Sequence, residues 1–374
     1  MPSTMTPRER TLEELSEKAS RISSRKALIG FDGFVDKIVH PVKQRHGMGE
    51  DFERIETIAE FGSRISAAVG QSANIEMYQM MEKLGGNGPI MANAMHSANV
   101  QVRYIGALGN PTIHPIFEEF AQKTDAVSVT NPGVTTAAEF TDGKIMLGDM
   151  AALENVDYDH IIETMGEGQF LDACARADMI ALVNWTMLPR LSELFNNMAD
   201  RVFPNIGPGE NRQFFFDLAD PAKRSIGDLR SVLKIISRYQ AHGAVTLGLN
   251  YSEGIQVAKA LGLPAPTEDP DQLKALATRI RQTLEISCVV VHPTHSAACA
   301  TSDGSWWVEG PFCEKPKITT GAGDHFNAGF MCGRLIGLSP LACLTTAVCF
   351  SGLYVRTAKS PSLSEVTRFL GEWK

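Results

Sequence analysis

Short apolar runs alternate with segments of helical spacing over most of this chain, and that alternation limits the fold more than any other feature. The strand-like runs are 26–31, 100–105, 179–183, 213–217, 244–247 and 288–291. Between them, stretches such as 191–198 and 270–284 return apolar residues every three or four positions, the spacing of a helix with one buried face. Strands that alternate with helices build a mainly parallel sheet with helices on both faces, a three-layer α/β fold. Ligands of such sheets sit at the carboxyl ends of the strands, so residues there carry most functional weight.

One segment breaks the alternation. Residues 135–141 and 144–147, joined by Asp142-Gly143, read as a β-hairpin with a favoured two-residue turn. Residues 34–40 also read as extended. These pieces predict a small second sheet, with elements near 33–44 and 134–149, standing off the main body as a lid. Ahead of the first strand, Thr11-x-x-Glu14 reads as a capping box opening an amphipathic helix with Leu12, Leu15 and Ile22 on its apolar face. The expected organisation is a helical extension over 1–25 and one domain over 26–374. There is no internal repeat or low-complexity tract to divide it further.

Charge and cysteine usage exclude several classes. Lys plus Arg is 35 against 43 for Asp plus Glu, a net charge of −8, so nucleic acid and anionic membranes are not the expected partners. Seven cysteines without a C-x-x-C pair argue against a zinc framework or a secreted disulfide scaffold, and a cytoplasmic location is expected. Residues 1–26 lack the apolar stretch of a secretory signal. Residues 335–355 carry no charge and are numerous enough to span a bilayer. However, Ser339-Pro340 reads as an N-cap followed by proline at the first helical position, and Thr345, Thr346 and Ser351 follow. A buried core helix is the expectation.

Four motifs carry candidate chemistry. Thr319-Thr320-Gly321-Ala322-Gly323-Asp324 precedes a helical pattern through Phe326, Phe330 and Leu335. Small residues there leave backbone N–H groups open at a helix N-terminus, which attracts phosphate. An adjacent carboxylate can take a proton from an attacking hydroxyl; the alternative is a glycine-rich turn with Asp324 as a cap. Asn250-x-x-Glu253 places an amide and a carboxylate on one side of a starting helix, suited to magnesium through waters or simply to capping. Gly85-Gly86-Asn87-Gly88 either admits a ligand close to the backbone or forms a plain turn. Asp32 and Asp36, at the end of the first strand, can accept hydrogen bonds from sugar hydroxyls or serve as turn residues.

In this order the motifs resemble those of the ribokinase-like, or PfkB-type, carbohydrate kinases, from about residue 26 to 362. The C-terminal signature of that family is similar to Thr319 through Phe330, its glycine signature to residues 85–109, and its N-x-x-E motif to Asn250–Glu253. The resemblance implies an ATP- and magnesium-dependent transfer of the γ-phosphoryl group to a hydroxyl of a sugar or sugar-like molecule. Asp324 would be the base, and the amides of Gly321, Ala322 and Gly323 the anion hole. Asp32, Asp36, Gly85, Gly86 and Asn87 would bind the sugar; Asn250, Thr294, Thr319 and Gly323 the nucleotide; and Asn250 with Glu253 the magnesium waters. A homodimer through edge strands of the lid is also implied.

The pattern departs from the family at three places. Ile318 stands where an Asp usually helps to hold a monovalent cation, so that cation is not carried over. Ile90 replaces an Asn that contacts substrate. His292-Pro293-Thr294-His295-Ser296-Ala297 replaces a glycine-bearing stretch under the nucleotide, and its histidines are candidate phosphate contacts. These departures keep open a nucleoside kinase of the same fold, with Phe34 or Phe140 stacking on a ring, or a non-catalytic binding homologue. Elsewhere, Phe214-Phe215-Phe216 and Asp217 read as a buried strand. Asn184-Trp185 is a further strand end within reach of substrate. Trp306-Trp307 is expected to pack near the nucleotide side. Gly329, Gly333 and Gly337 mark one packed helix face.

Overall fold

The apolar runs pair into a mainly parallel sheet, as their alternation with helices predicts. The computed structural model describes residues 5–207, 209 and 211–373. Its first strands are β1 (Lys26–Phe31), β2 (Phe34–Arg45), β3 (Phe52–Arg54), β4 (Met77–Gly85) and β5 (Gln101–Ala107). Next come β6 (Val127–Thr130), β7 (Gly133–Phe140), β8 (Gly143–Asp149), β9 (Met179–Leu182) and β10 (Gln213–Asp217). The chain adds β11 (Ala244–Asn250), β12 (Cys288–His292), β13 (Ser296–Thr301) and β14 (Gly304–Glu309). Nine of these form one sheet in the order β14-β13-β12-β11-β10-β9-β1-β5-β6. It is parallel from β6 through to β12, and only β13 runs against the rest, pairing antiparallel with both β12 and β14.

Both faces of this sheet are covered, which is why its strands read as continuous apolar runs. Along β10, Phe214 and Phe216 enter the core on one face, while Phe215 enters the core on the other. All three are fully buried, each contributing on the order of 2 kcal/mol of burial. The helices Ala322–Ile336 and Pro340–Thr357 pack closely on the Phe215 side. A Cβ at Gly329 would lie 2.8 Å from Phe350, and one at Gly333 would lie 3.0 Å from the Cys343 sulfur. Gly337 differs from the expected packing role: it ends its helix in the left-handed region at φ +76°. The uncharged run breaks between these helices, with Ser339 Oγ accepting from the Ala342 amide and Pro340 at the first position. Among the described residues no helix is long and apolar enough to cross a membrane.

The N-terminal helix starts earlier than the Thr11 box predicts. It spans Pro7–Lys18 with Thr6 as N-cap, and Thr6 and Glu9 form the reciprocal capping pair. The same spacing occurs at both places, and proline at the first position decides for Thr6. Thr11 lies within the helix, where its hydroxyl donates to the Pro7 carbonyl. Glu14 reaches across to accept from the Ser339 amide at 2.8 Å, tying this helix to the body.

The second sheet runs β3-β2-β7-β8, with β4 also beside β2. Its hairpin turns one residue earlier than expected, at Thr141-Asp142, because Gly143 pairs with Phe140 and Asp142 accepts from the Ile58 amide. The helix Ile58–Ser66 covers one face of the lid, where Phe61, Val39, Ile55, Ala138 and Phe140 form a small core. Trp306 and Trp307 lie on the outermost strand, β14. Trp307 lines a cleft with Leu12 and Trp373, and neither tryptophan lines the cavity beside the Gly321 loop.

Candidate active site

The site forms where β1, β2 and β4 meet the N-termini of two helices, Asn87–Ser97 and Ala322–Ile336. Asp32, just past β1, turns into the protein. Its carboxylate accepts from the amides of Asn87 at 2.9 Å and Gly88 at 2.8 Å, and from the Asn184 side chain at 2.6 Å. Burial pushes its pKa up to about 6 against these hydrogen bonds. Asp32 therefore organises the glycine segment, and a side chain on that segment would displace it: a Cβ at Gly88 would lie 2.5 Å from its Oδ1. Asp36 is less enclosed. Its carboxylate lies over the Gly85 backbone, 2.5 Å from where a Cβ would stand. Burial raises its pKa, countered by Lys83, Thr135 and Lys144.

Asp324 lies on the first turn of its helix and is 8% exposed. The Asn87 side chain donates to its Oδ1 at 2.9 Å, so the glycine segment and the C-terminal motif, far apart in sequence, meet at one carboxylate. Burial first, then repulsion from Asp32 and Glu253, pushes Asp324 up to about 8, with Asn87 opposing the rise. Beside it, Gly321 takes the left-handed region at φ +88°. A Cβ there would stand 3.1 Å from the Tyr354 hydroxyl and 3.2 Å from Ile90, so the loop admits only glycine without adjustment. Of the three amides expected to be open, that of Ala322 closes a turn by donating to the Thr319 carbonyl at 3.1 Å. Among the described residues the amides of Gly321 and Gly323 have no acceptor.

A cavity of about 460 Å³ opens next to this loop, and Asn250, Thr294, Thr319 and Gly323 all line it. His292 also lines it, packed 4.4 Å from the Phe326 ring, and burial holds its pKa down to about 4. A neutral imidazole there offers a hydrogen bond to phosphate but no charge. His295 instead packs at a tilt against Phe312, with ring centroids 4.8 Å apart.

Asn250 and Glu253 form a full capping box. Asn250 Oδ1 accepts from the Glu253 amide at 3.0 Å, and Glu253 Oε2 accepts from the Asn250 amide at 2.8 Å. The other Glu253 oxygen takes the Asp220 amide at 3.0 Å. Asp217, at the end of β10, is buried with one oxygen held by Asn327 at 2.8 Å and the other, among the described residues, without a hydrogen-bond partner. Burial and repulsion from Glu253 and Asp324 push it well above the carboxylate range. Crowded carboxylates and an orphaned oxygen suit a divalent cation carried in on phosphates. Among the described residues no group of three or more His, Cys, Asp or Glu is arranged to bind a metal directly. Tyr104 and Asn327, which no motif signals, complete the shell. Asn184 serves Asp32, and Trp185 is buried, its indole N–H donating to Ser192.

Comparison with known proteins decides the family. The sequence profile described as prokaryotic ketohexokinase matches residues 4–373. The chain belongs to that family. It is a carbohydrate kinase of the ribokinase-like, PfkB-type group. A ketohexokinase of Haloferax volcanii is 26% identical over 352 residues, covering 93% of this chain and 92% of that one. Solved structures share the fold. A fructokinase of Xylella fastidiosa with bound ATP is 16% identical at a TM-score of 0.65, over 93% of this chain and 98% of that one. An Arabidopsis thaliana ribokinase complexed with ribose and ATP is 15% identical at 0.63, over 92% and 98%. The lid and the main sheet of this ketohexokinase-family chain thus follow an established architecture.

Proposed function

We propose that this chain moves the γ-phosphoryl group of ATP to a hydroxyl of a ketohexose, with Asp324 as the general base. Asp324 takes the hydroxyl proton, the sugar oxygen bonds to the γ-phosphorus, and the bond to the β-phosphate oxygen breaks to release ADP. The amides of Gly321 and Gly323 face the charge that develops on the transferring group, where the helix N-terminus adds partial positive charge. Asp36 and Asn87 hold sugar hydroxyls, and Asp32 acts behind them by fixing the Asn87 and Gly88 amides. The cavity lined by Asn250, Thr294, Thr319 and Gly323 takes the nucleotide. Magnesium, when bound, neutralises phosphate charge; Asn250, Glu253 and Asp217 would hold it through waters.

One observation carries the reading: Asn87 of the sugar-side segment donates to the carboxylate that starts the phosphate-side helix. A hydroxyl bound by the first therefore lies beside the base. The test offers wild type and Asp324→Ala a panel of ketohexoses, aldohexoses, pentoses and nucleosides with ATP and magnesium. Ketohexose turnover by the wild type, cut by roughly 10²–10⁴ in the variant, is expected. A nucleoside preference overturns the substrate, and turnover that survives in the variant overturns the base.

A further inference from the structure

The loop that presents the open amides is braced from behind by two aromatic residues to which the proposed reaction gives no part. His325 is 1% exposed and joins two separate stretches of chain. Its Nδ1 lies 2.7 Å from the Gly321 carbonyl oxygen and its Nε2 lies 2.9 Å from the Ser360 hydroxyl. A carbonyl only accepts, so Nδ1 carries the proton and Nε2 accepts from Ser360. The imidazole lies flat on Tyr354, with centroids 3.6 Å apart and planes 13° from parallel. Tyr354 in turn donates its hydroxyl to the Thr320 carbonyl at 2.9 Å.

Two consecutive carbonyls of the loop are therefore each held by a ring. A peptide group is planar, so fixing the Thr320 carbonyl fixes the direction of the Gly321 N–H, which shares its plane. Fixing the Gly321 carbonyl does the same for the Ala322 N–H, which closes the turn. Gly321 has no side chain to restrain it; the His325 amide also donates to its carbonyl at 3.1 Å, and the two rings add to that backbone bond and to the Ala322–Thr319 turn.

We propose that His325 and Tyr354 are positioning residues: as a stacked pair they lock the Thr320 and Gly321 carbonyls and so aim the Gly321 amide at the transferring phosphoryl group. The inference rests on the anion-loop reading given above. Burial holds His325 down to about 4, so the ring stays neutral and keeps one tautomer across the working range of pH.

Steady-state kinetics on His325→Phe, His325→Asn and Tyr354→Phe test it. Phenylalanine at 325 keeps a flat ring and loses both hydrogen bonds; Tyr354→Phe loses only the hydroxyl. Both are expected to lower kcat by roughly tenfold or more, since small misplacement of an oriented group is costly, with the sugar KM nearly unchanged. Asparagine at 325 places an amide N–H within reach of the Gly321 carbonyl and is expected to recover most of the loss. Wild-type kcat in folded His325→Phe and Tyr354→Phe overturns the proposal. So does a fall in kcat and Tm together with a rise in the KM values for sugar and ATP, without recovery in His325→Asn. If His325→Phe fails to fold, Tyr354→Phe decides. Asp324→Ala, run alongside, separates the levels. Its inactivity beside fully active ring variants sinks only this inference, whereas its activity sinks the base reading beneath it.

Discussion

A carboxyl group that ionises near pH 8 is mostly protonated at neutrality, which sets the pH behaviour of any reaction that uses it as a base. Asp324 is such a group, raised by burial and by neighbouring carboxylates. The ratio kcat/KM reports the free enzyme, so it is expected to climb as pH rises through about 8 and then level off. A flat profile from pH 6 to 9 in initial-rate assays speaks against Asp324 as the base. The same shift acts on stability. The folded pKa lies above the unfolded one, so this group's contribution is fullest at low pH and is lost as pH rises through about 8. Asp324→Asn removes the ionisation and keeps an oxygen for Asn87. Thermal melts are expected to give it a higher Tm than wild type at pH 9, with the advantage shrinking as pH falls toward 4. The residue itself is legible in its motif. Asp32 is not legible in the same way: its partners at Asn87, Gly88 and Asn184 come from distant elements, and no local spacing shows that its carboxylate turns inward.

At the scale of elements, the recurring glycines on the helix Ala322–Ile336 show how far periodicity can be trusted. Gly329 faces Phe350 on the neighbouring helix so closely that a methyl group has no room. Alanine would gain about 1 kcal/mol of helix propensity. Against that, pushing a Cβ to 2.8 Å from Phe350 overpacks a rigid contact, at a cost of about 1–3 kcal/mol. Gly329→Ala is therefore expected to lower the urea midpoint while leaving the sugar KM in place, and an unchanged midpoint would mean that the helices move apart at no cost. Spacing also pointed to Gly337, whose role is a left-handed cap, because a period marks a face but not where the helix stops. Strands with strong apolar runs were readable from their residues. The pair β13 and β14 was not, since Ser296–Thr301 is made of small residues of weak strand propensity and Gly304–Glu309 lies at a sheet edge. β4 was hidden for a related reason: its middle, from Gln79 to Met81, is exposed and follows no alternation.

Over the whole molecule, the lid is the part whose surface is unbalanced. The helix Ile58–Ser66 closes one of its faces. The opposite face carries Asp36 and, in the next row across the sheet, Met81, Ile38, Ala137 and Met146 in register on β4, β2, β7 and β8. Met81 is 57% exposed and Met146 55%, large apolar side chains on the side of the sheet that also bears the Asp36 carboxylate. A sugar bound at Asp36, as proposed above, would be too small to cover both methionines. A second lid laid against the first would bury them in both copies by the same contact, which is the symmetry of most homodimers. Sedimentation equilibrium is expected to give twice the monomer mass for wild type and the monomer mass for Met81→Glu with Met146→Glu. If Asp36 binds the sugar as proposed, the double variant should also show a raised sugar KM, whereas kcat should change little. A wild type that stays monomeric at high concentration removes the dimer.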